Sequence, residues 1–581
     1  MRKYWLIAVS IAAGLYLAAS SPLAADEPWL DLTMAAETGK DWAFIGGDWK
    51  EDKDGTLNPP DAAPDKVVDE NLAFYTAKAY VDFEAEFEFH MIHNSTGAGL
   101  AFRAQDARHY YMVHFPVTAM EFRGANFWAA ISKVDESGYV QVLKQELVLG
   151  VPSELGQWQR VRVVVQGNEI RVWVNGRPGP VVHDDTYAGP GYVGLETYLS
   201  AGVGGVTRFR NLRIRGQEQQ APPWNPEIRP ARNYFYPTRE ETYGPVQQFN
   251  SVARAPHGDL LMDMLSGSKF HGDQWTAVMI RSTDNGRTWS PMKEMFNVSG
   301  DSRDHIPAGM FSTSDGKLYM FKADYEKPKV ALSRATSEDG VAWSEFEVST
   351  TLDILGNQDQ VWMYHAPVEL MDGTFIWPGT ARSPKSFGSV DGRYYENQRR
   401  HGAMNFVVRS TDRGQTWSSP INVDGPNPSP ANVVYAKDNH PSEGSIGQAQ
   451  DGRVVIFIRP ITSPWMWESS SFDGGQTWTP LARGPFPQWA SSTVCRSASG
   501  VLMIIGRHPG LGLSASWDNG MTWKIYRIDT TFWANGKIIE VEPDVMLFAS
   551  TATYTDPHVR AHLIRVTPEG LEPIRVTAQN K

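Results

Sequence analysis

The sequence predicts an all-β protein in which a β-jelly-roll domain precedes a six-bladed β-propeller. One turn motif occurs five times in the C-terminal half, and a second motif occurs six times at positions that alternate with the copies of the first. The N-terminal third alternates short β runs with turns. The composition agrees, because 21 Trp, 51 Gly and 38 Pro in 581 residues are typical of a turn-rich β protein.

The first phrase, Ser-x-Asp-x-Gly-x-Thr-Trp, has the chemistry of a structural turn. Asp and Ser side chains bond turn amides, Gly supplies positive φ, and Trp anchors the turn in a neighbouring layer. The copies begin at Ser282, Ser337, Ser410, Ser471 and Ser516, and the Ser337 copy is one residue shorter. Repetition of such a hairpin turn at this spacing indicates radially repeated β units.

The second motif is a turn with Gly or Asp that leads into a hydrophobic run. Its copies lie at 258–262, 315–321, 372–377, 451–457, 499–505 and 543–548. Six units of this length fit four strands each, and therefore a six-bladed propeller over 241–576. The absence of a 3.6-residue periodicity excludes a helical solenoid.

Residues 1–25 have the pattern of a secretory signal peptide. Arg2 and Lys3 precede an apolar run, which small residues follow; a single uncleaved anchor helix is the alternative. We expect a secreted or periplasmic protein with no membrane attachment after signal removal. The net charge of −12 argues against a nucleic-acid partner. Cys495 is the only cysteine, so the chain has no internal disulfide.

Residues 26–217 resemble the concanavalin A-like domains, a class that includes laminin-G-like modules and the 3-keto-disaccharide hydrolase-like domain. The resemblance rests on Gly47-Asp-Trp49, on the strands from Trp158 to Val174, and on the ending Phe209-Arg-Asn-Leu-Arg-Ile-Arg-Gly216. It implies a module that binds or positions a carbohydrate. No paired carboxylates at tight spacing point to catalysis in this part. A linker rich in Gln and Pro is predicted at 218–240.

The Ser-x-Asp phrase is the Asp box, also called the BNR repeat, and six such units resemble the sialidase superfamily of glycoside hydrolases. The resemblance places a catalytic Glu before the fourth unit's Asp-Gly and an Arg after it; Glu443 and Arg459 hold these places. Arg507 matches a second family arginine. Asp273 is the candidate acid/base.

Two elements of the sialidase pattern are missing. The opening arginine motif would lie near Gln248 and Asn250, where no arginine stands, and the nucleophilic Tyr would lie near Phe532 to Asn535, where no Tyr stands. The superfamily resemblance is unaffected, but sialic acid itself is in doubt as the substrate.

Propeller geometry also predicts site residues, independently of the family resemblance. The first strand of each unit starts near the axis, so residues 8 to 12 positions before the second-strand Gly should converge there. These are Gln248, Asn250, Asp304, His305, Tyr364, His365, His440, Glu443, Trp489, Trp533 and Asn535. His, Asp and Glu suit acid–base chemistry on a sugar, and Trp suits stacking on a pyranose face.

The sequence therefore predicts an exported glycoside hydrolase that acts on a carbohydrate without a metal or cofactor. The predicted catalytic residues are Glu443, Asp273, His365, His440 and His305, with Asp273 and Glu443 as the carboxyl pair. The predicted substrate contacts are Arg459, Arg507, Asp304, Tyr364, Asn250, Gln248, Trp489 and Trp533.

Three alternatives stay open at this point. The chain could be a propeller lyase, in which His or Tyr removes the proton α to a uronate carboxylate. It could be a glycan-binding protein without turnover. A metal site from His305, His365 and His440 is a further alternative, although their spacing says nothing about ligand distances.

Overall fold

The structure is a computed structural model of the 581-residue chain. It describes residues 27–33, 39–60, 71–91, 97–116, 126–152, 156–197, 207–220, 223–239, 242–244, 246–267, 274–299, 309–326, 329–353, 360–363, 365–382, 404–423, 442–459, 466–485, 493–506, 510–529, 534–552 and 556–576. The predicted signal peptide lies outside these residues.

The N-terminal domain is built from antiparallel strands and one short 3-10 helix, Gly39–Asp41. The strands are β1 Leu30–Asp31, β2 Trp42–Ile45, β3 Lys50–Glu51, β4 Leu57–Asn58, β5 Asn71–Met91, β6 Gly97–Ala104, β7 Tyr110–Pro116, β8 Asn126–Val134, β9 Val140–Pro152, β10 Trp158–Gln166, β11 Glu169–Val174, β12 Arg177–His183, β13 Gly191–Thr197 and β14 Thr207–Gln219. The long β5 organises the domain, because it pairs with β2, β10, β13 and β14. The jelly-roll topology stays a prediction.

The C-terminal half contains five separate sheets. The first is β15 Val246–Arg254, β16 Leu260–Ser266, β17 Gln274–Ser282 and β18 Lys293–Ser299; the second is β19 Met310–Ser312, β20 Leu318–Glu326, β21 Lys329–Ser337 and β22 Glu347–Asp353. The third is β23 Gln360–Met363, β24 Val368–Glu369, β25 Phe375–Arg382, β26 Met404–Ser410 and β27 Ile421–Asn422; the fourth is β28 Ser442–Gln448, β29 Val454–Arg459, β30 Trp467–Ser471 and β31 Ala482–Arg483. The last is β36 Ala534–Glu542, β37 Val545–Ala552, β38 Asp556–Val566 and β39 Leu571–Ile574.

Four more antiparallel strands stand between the fourth and last sheets. They are β32 Val494–Arg496, β33 Leu502–Gly506, β34 Leu511–Ser516 and β35 Lys524–Asp529. This β32–β35 group is not a separate sheet, because β35 pairs with β9 of the N-terminal domain. Six separate blades are therefore not confirmed. The prediction that each hydrophobic run enters a strand is confirmed, since the six runs lead into β16, β20, β25, β29, β33 and β37.

The sheets are arranged as a propeller. Contacts between neighbouring sheets run from β15 to β19, from β20 to β23, from β25 to β28, from β28 to β32 and from β32 to β36. The circle closes where β36 contacts β15. Because the first strand of a sheet usually meets that of the next, the starts of these strands surround a common hub.

The Asp-box turns form as the sequence predicts. In the fourth copy, the Ser471 hydroxyl donates to the Asp473 carboxylate at 2.8 Å and accepts from the Gly475 amide at 2.7 Å. The carboxylate also accepts from the Thr477 amide, and these hydrogen bonds lower the pKa of Asp473 to about 2 against the opposing effect of burial. The Trp478 indole N–H then donates to the Gly475 carbonyl at 3.2 Å.

The two parts of the chain share a buried seam. Ile525 pairs with Val142 across β35 and β9, and the buried Arg527 guanidinium lies 3.3 Å from the buried Glu196 carboxylate of β13. Tyr139, from the N-terminal domain, packs in the same core cluster as Phe548 of the last sheet. The seam joins the domains through backbone pairing, an ion pair and apolar packing.

The predicted linker is ordered where the structure describes it. The Trp224 ring lies 4.9 Å from the Phe74 ring of the N-terminal domain, and Phe235 forms a β-bridge with Ala561 of the last sheet. The Pro and Gln content of the linker predicted turns without regular periodicity. The path of the linker is instead set by packing of its aromatic residues. In the part of the chain described, no helix has the length and apolar character needed to cross a membrane.

Removing the hydroxyl of one Asp box should destabilise the protein measurably. Ser471→Ala leaves the buried Gly475 amide without its acceptor, which costs about 1–3 kcal/mol of unfolding free energy. Phe472→Ser in the same turn is the control, because this ring is 77% exposed and surface changes usually cost less than about 0.5 kcal/mol. Chemical denaturation of the full chain measures both. Equal stability of the two variants would contradict the structural role of the box.

Candidate functional site

A cavity of about 110 Å³ lies at the hub, and we call it the hub cavity. Every strand group of the propeller contributes to it. Its lining comprises Asn250, Ser251, Val252, Met310, Phe311, His365, Ala366, Pro367, Val368, Pro378, Gly444, Ile446, Thr493, Lys537 and Ile538. Most of these side chains are apolar, whereas His365, Lys537 and Asn250 contribute polar groups that can bind or react with a ligand.

His365 is held in place by its backbone as well as by its ring. It follows β23 in the third sheet and has φ of 61°, a left-handed conformation that costs a residue with a Cβ roughly 1–3 kcal/mol. The indole N–H of the fully buried Trp377 donates to the His365 carbonyl at 2.8 Å. Such strain persists only where the surroundings fix the conformation, and it is frequent at functional sites.

The His365 ring contacts Lys537, which arrives from β36 of the last sheet. The Lys537 Nζ lies 2.5 Å from the His365 Nδ1. Burial, and then the lysine's charge, hold the pKa of His365 well below 6.5, so the imidazole is neutral near pH 7. A lysine ammonium can only donate, so Nδ1 accepts and the ring proton stands on Nε2. That Nε2 is buried and has no hydrogen-bond partner among the residues described.

Lys537 is itself perturbed by its surroundings. Burial lowers its pKa to about 8, and the negative charge of Asp263 opposes this shift. Asp263 lies on β16 with 4% of its surface exposed, and burial raises its pKa to about 6. Its carboxyl accepts from the Asn250 amide at 3.1 Å and from the Ser251 hydroxyl. Asp263, Lys537 and His365 thus form a polar cluster that links the first, third and last sheets.

Glu443 and Arg459 form the second cluster of candidate residues. The Arg459 Nη1 lies 2.7 Å from the Glu443 Oε2, and both side chains are about four-fifths buried. Glu443 stands in a β-bulge between Ser442 and Gly444 and has φ of 63°. Gly444 lines the hub cavity, so the strained backbone of Glu443 directly precedes a cavity-lining residue.

Two larger clefts lie away from the hub. One of about 750 Å³ lies at the seam and is lined mainly by turn residues of the N-terminal domain and the last sheet, among them Asp135, Glu136 and Glu572. Another of about 390 Å³ lies between the first and second sheets, around Met295 and Trp343. Neither cleft contains a residue that the sequence predicted for the site.

The structure describes four of the predicted site side chains: His365, Asn250, Glu443 and Arg459. It brings His365 and Asn250 to the hub cavity, and it pairs Glu443 with Arg459. Only the backbone of Gln248 is described, within β15. Asp273, Asp304, His305, Tyr364, His440, Trp489, Arg507 and Trp533 lie outside the described residues and stay predictions.

Lys537 and Asp263 are residues that the sequence reasoning missed. Asp263 interrupts the apolar run Leu260-Leu-Met-Asp-Met-Leu265, and a lone carboxyl in a buried strand was the available signal. Lys537 lies two residues beyond the window that the spacing predicted, so only the path of β36 reveals it. Within the ranges described, no group of three or more His, Cys, Asp or Glu could hold a metal ion.

Two family profiles match separate parts of the chain. Residues 34–215 match the 3-keto-alpha-glucoside-1,2-lyase-like domain, and residues 305–532 match the BNR repeat-like domain. Both matches agree with the resemblances that the sequence motifs indicated. No curated protein matches the chain.

Solved structures with a similar course of the chain include glycosidases. The Hadza microbial sialidase Hz136 is 14% identical, with 88% of this chain and 95% of that chain covered and a TM-score of 0.41. A Penicillium chrysogenum alpha-L-arabinanase complexed with arabinobiose is 14% identical, with coverage of 56% and 95% and a TM-score of 0.39. A Dyadobacter fermentans protein of unknown function is 16% identical, with coverage of 58% and 98% and a TM-score of 0.45. Likeness at this level assigns no substrate.

Removing the lysine charge should raise the pKa of His365. In Lys537→Met the second cause of the depression is gone while burial stays, so we expect a partial return toward 6.5. Nitrogen NMR of histidine-labelled protein, titrated across pH, measures the change. Lys317→Met, on an exposed turn of the second sheet, is the matched control and should leave the titration unchanged. An unaltered His365 titration in Lys537→Met would refute the contact.

Proposed function

We propose that this protein is an exported glycoside hydrolase that acts on a glycan or polysaccharide at the hub of a six-bladed propeller. In this proposal the β32–β35 group is the fifth blade, and its pairing with β9 fastens the N-terminal domain to the outer edge of that blade. The BNR repeat-like match and the Asp-box turns support the class of protein.

The observation that carries the proposal is the convergence at the hub cavity. All six strand groups line it, and His365 and Glu443, from neighbouring sheets, both hold strained left-handed backbones beside it. Strained polar residues around one cavity, together with the shifted pKa values of His365, Lys537 and Asp263, are typical of an active site rather than of a packed core.

Each cluster has a role in glycoside hydrolysis. Glu443, kept beside the Arg459 guanidinium, serves as the carboxylate nucleophile or base, and Asp273 is the proposed acid that protonates the leaving oxygen. The His365 Nε2–H donates to a sugar hydroxyl or ring oxygen. Ligand contacts are proposed for Asn250 and for the predicted residues outside the described ranges. The N-terminal domain holds the remainder of the glycan.

Glu443→Gln should abolish turnover without unfolding the protein. Replacing a catalytic carboxylate by its amide removes acid–base or nucleophilic chemistry, and we expect a loss of at least about 100-fold in kcat. The test is a panel of glycans, with release of reducing ends as the readout for the parent and the variant. Glu345→Gln, at an exposed carboxylate between β21 and β22, is the control and should retain full activity. Undiminished turnover in Glu443→Gln would exclude Glu443 from catalysis.

A uronate lyase is the second candidate, and one observation favours it. Lys537 contacts a neutral imidazole in the hub cavity and controls its tautomer. β-Elimination needs such a base for the α-proton, and Arg459 is the proposed cation for the uronate carboxylate. In this reaction His365 would be the base, which requires a lone pair on Nε2.

The lyase hypothesis predicts a specific pH dependence of the elimination rate. Below the Lys537 pKa of about 8 the ammonium donates to Nδ1 and keeps the proton on Nε2; above it, the free amine can accept from Nδ1–H and leaves Nε2 as a base. Elimination should therefore accelerate as pH rises through about 8, and Lys537→Met should lack this rise. Ultraviolet absorbance of unsaturated uronates measures the rate. Reducing ends without such absorbance at every pH would leave hydrolysis as the reaction.

A further inference from the structure

Within the described ranges, no carboxylate is hydrogen-bonded or ion-paired to Lys537 in the hub cavity. Among the residues described, His365 is the only group that its Nζ contacts. Asp263 acts on Lys537 only by electrostatic attraction at a distance. The Asp263 carboxyl already accepts hydrogen bonds from Asn250 and Ser251. A half-buried ammonium with no ion pair loses its proton more readily than an exposed one, because desolvation penalises the charged form.

The surroundings suit an uncharged amine. The hub cavity walls beside Lys537 include Met310, Ile446 and Ile538, which are all buried and apolar. The His365 Nδ1 provides a proton acceptor at 2.5 Å, and the Trp377 indole holds the backbone carbonyl of the same residue. An amine, a base and a largely apolar cavity are thus together at one point of the fold.

We propose that Lys537 is a nucleophilic amine that forms an imine with the carbonyl carbon of a sugar, either a ketone or an open-chain aldehyde. This inference goes beyond the proposed hydrolase or lyase and does not depend on either. Lysines in desolvated pockets are among the side chains that form such covalent intermediates.

The steps balance without any further reactant. The ammonium passes one proton to His365 Nδ1, and the free amine adds its lone pair to the carbonyl carbon while the C=O π pair moves to oxygen. A proton shift gives the carbinolamine. The imidazolium returns its proton to the hydroxyl, which leaves as water while the C=N bond forms. The net change is ammonium plus carbonyl to protonated imine plus water, with His365 restored.

Reductive trapping of the full-length protein tests this inference. The probe is dihydroxyacetone with sodium cyanoborohydride at pH 7, and peptide mass spectrometry compares the modification of Lys537 with that of the exposed Lys317. The pKa of Lys537 is about 8, whereas an ordinary lysine has a pKa near 10.4. At pH 7 the uncharged fraction of Lys537 is therefore more than 100-fold larger than that of an ordinary lysine. Allowing for the narrower access to the cavity, we expect Lys537 to be modified at least about tenfold faster than Lys317.

Modification of Lys537 no faster than that of Lys317 would overturn the proposal. The comparison is made within one unaltered protein, so no variant has to fold for it to be decisive. His365→Gln adds a second measurement: slower trapping at Lys537, with Lys317 unchanged, supports the proton acceptor, and unchanged trapping refutes it. Glycan turnover is measured separately, so loss of the hydrolase proposal would leave this result standing.

Discussion

The contact between β36 and β15 is the constraint on which the site depends. It brings the last sheet of the propeller beside the first, and with it Lys537 comes near Asp263 and reaches His365 of the third sheet. These residues are far apart in the chain, so no local preference could assemble them. Closure of the circle also creates the hub cavity, and burial in and around it shifts the pKa values of all three groups.

Much of the architecture could be predicted because it is encoded locally. Ser471, Asp473 and Gly475 bond one another within five residues, so the phrase alone specifies the turn. The hydrophobic runs entered strands for the same reason. The pairing of β35 with β9 could not be predicted from local sequence. It depends on the docking of two domains, and the residues that pair carry no distinguishing pattern.

The site was predictable only in part, and the reason is physical. Counting back from the second strand located His365 and Glu443, since their distance along the chain from that strand is short and regular. It missed Lys537, whose relevance comes from burial beside an imidazole rather than from its position in a repeat. Asp263 was visible as a polar interruption of an apolar strand, but its partners Ser251 and Asn250 become apparent only once β15 and β16 are paired.

The seam between the domains has a consequence for how this protein could be rearranged. Carbohydrate-active enzymes with tethered accessory modules can lose or exchange them by recombination in the tether. Here a cut near Trp224 would strip Arg527 of Glu196 and expose Tyr139 together with the apolar surface around Phe548. Removing either domain would therefore leave a buried charge without its partner and apolar surface exposed on the other domain.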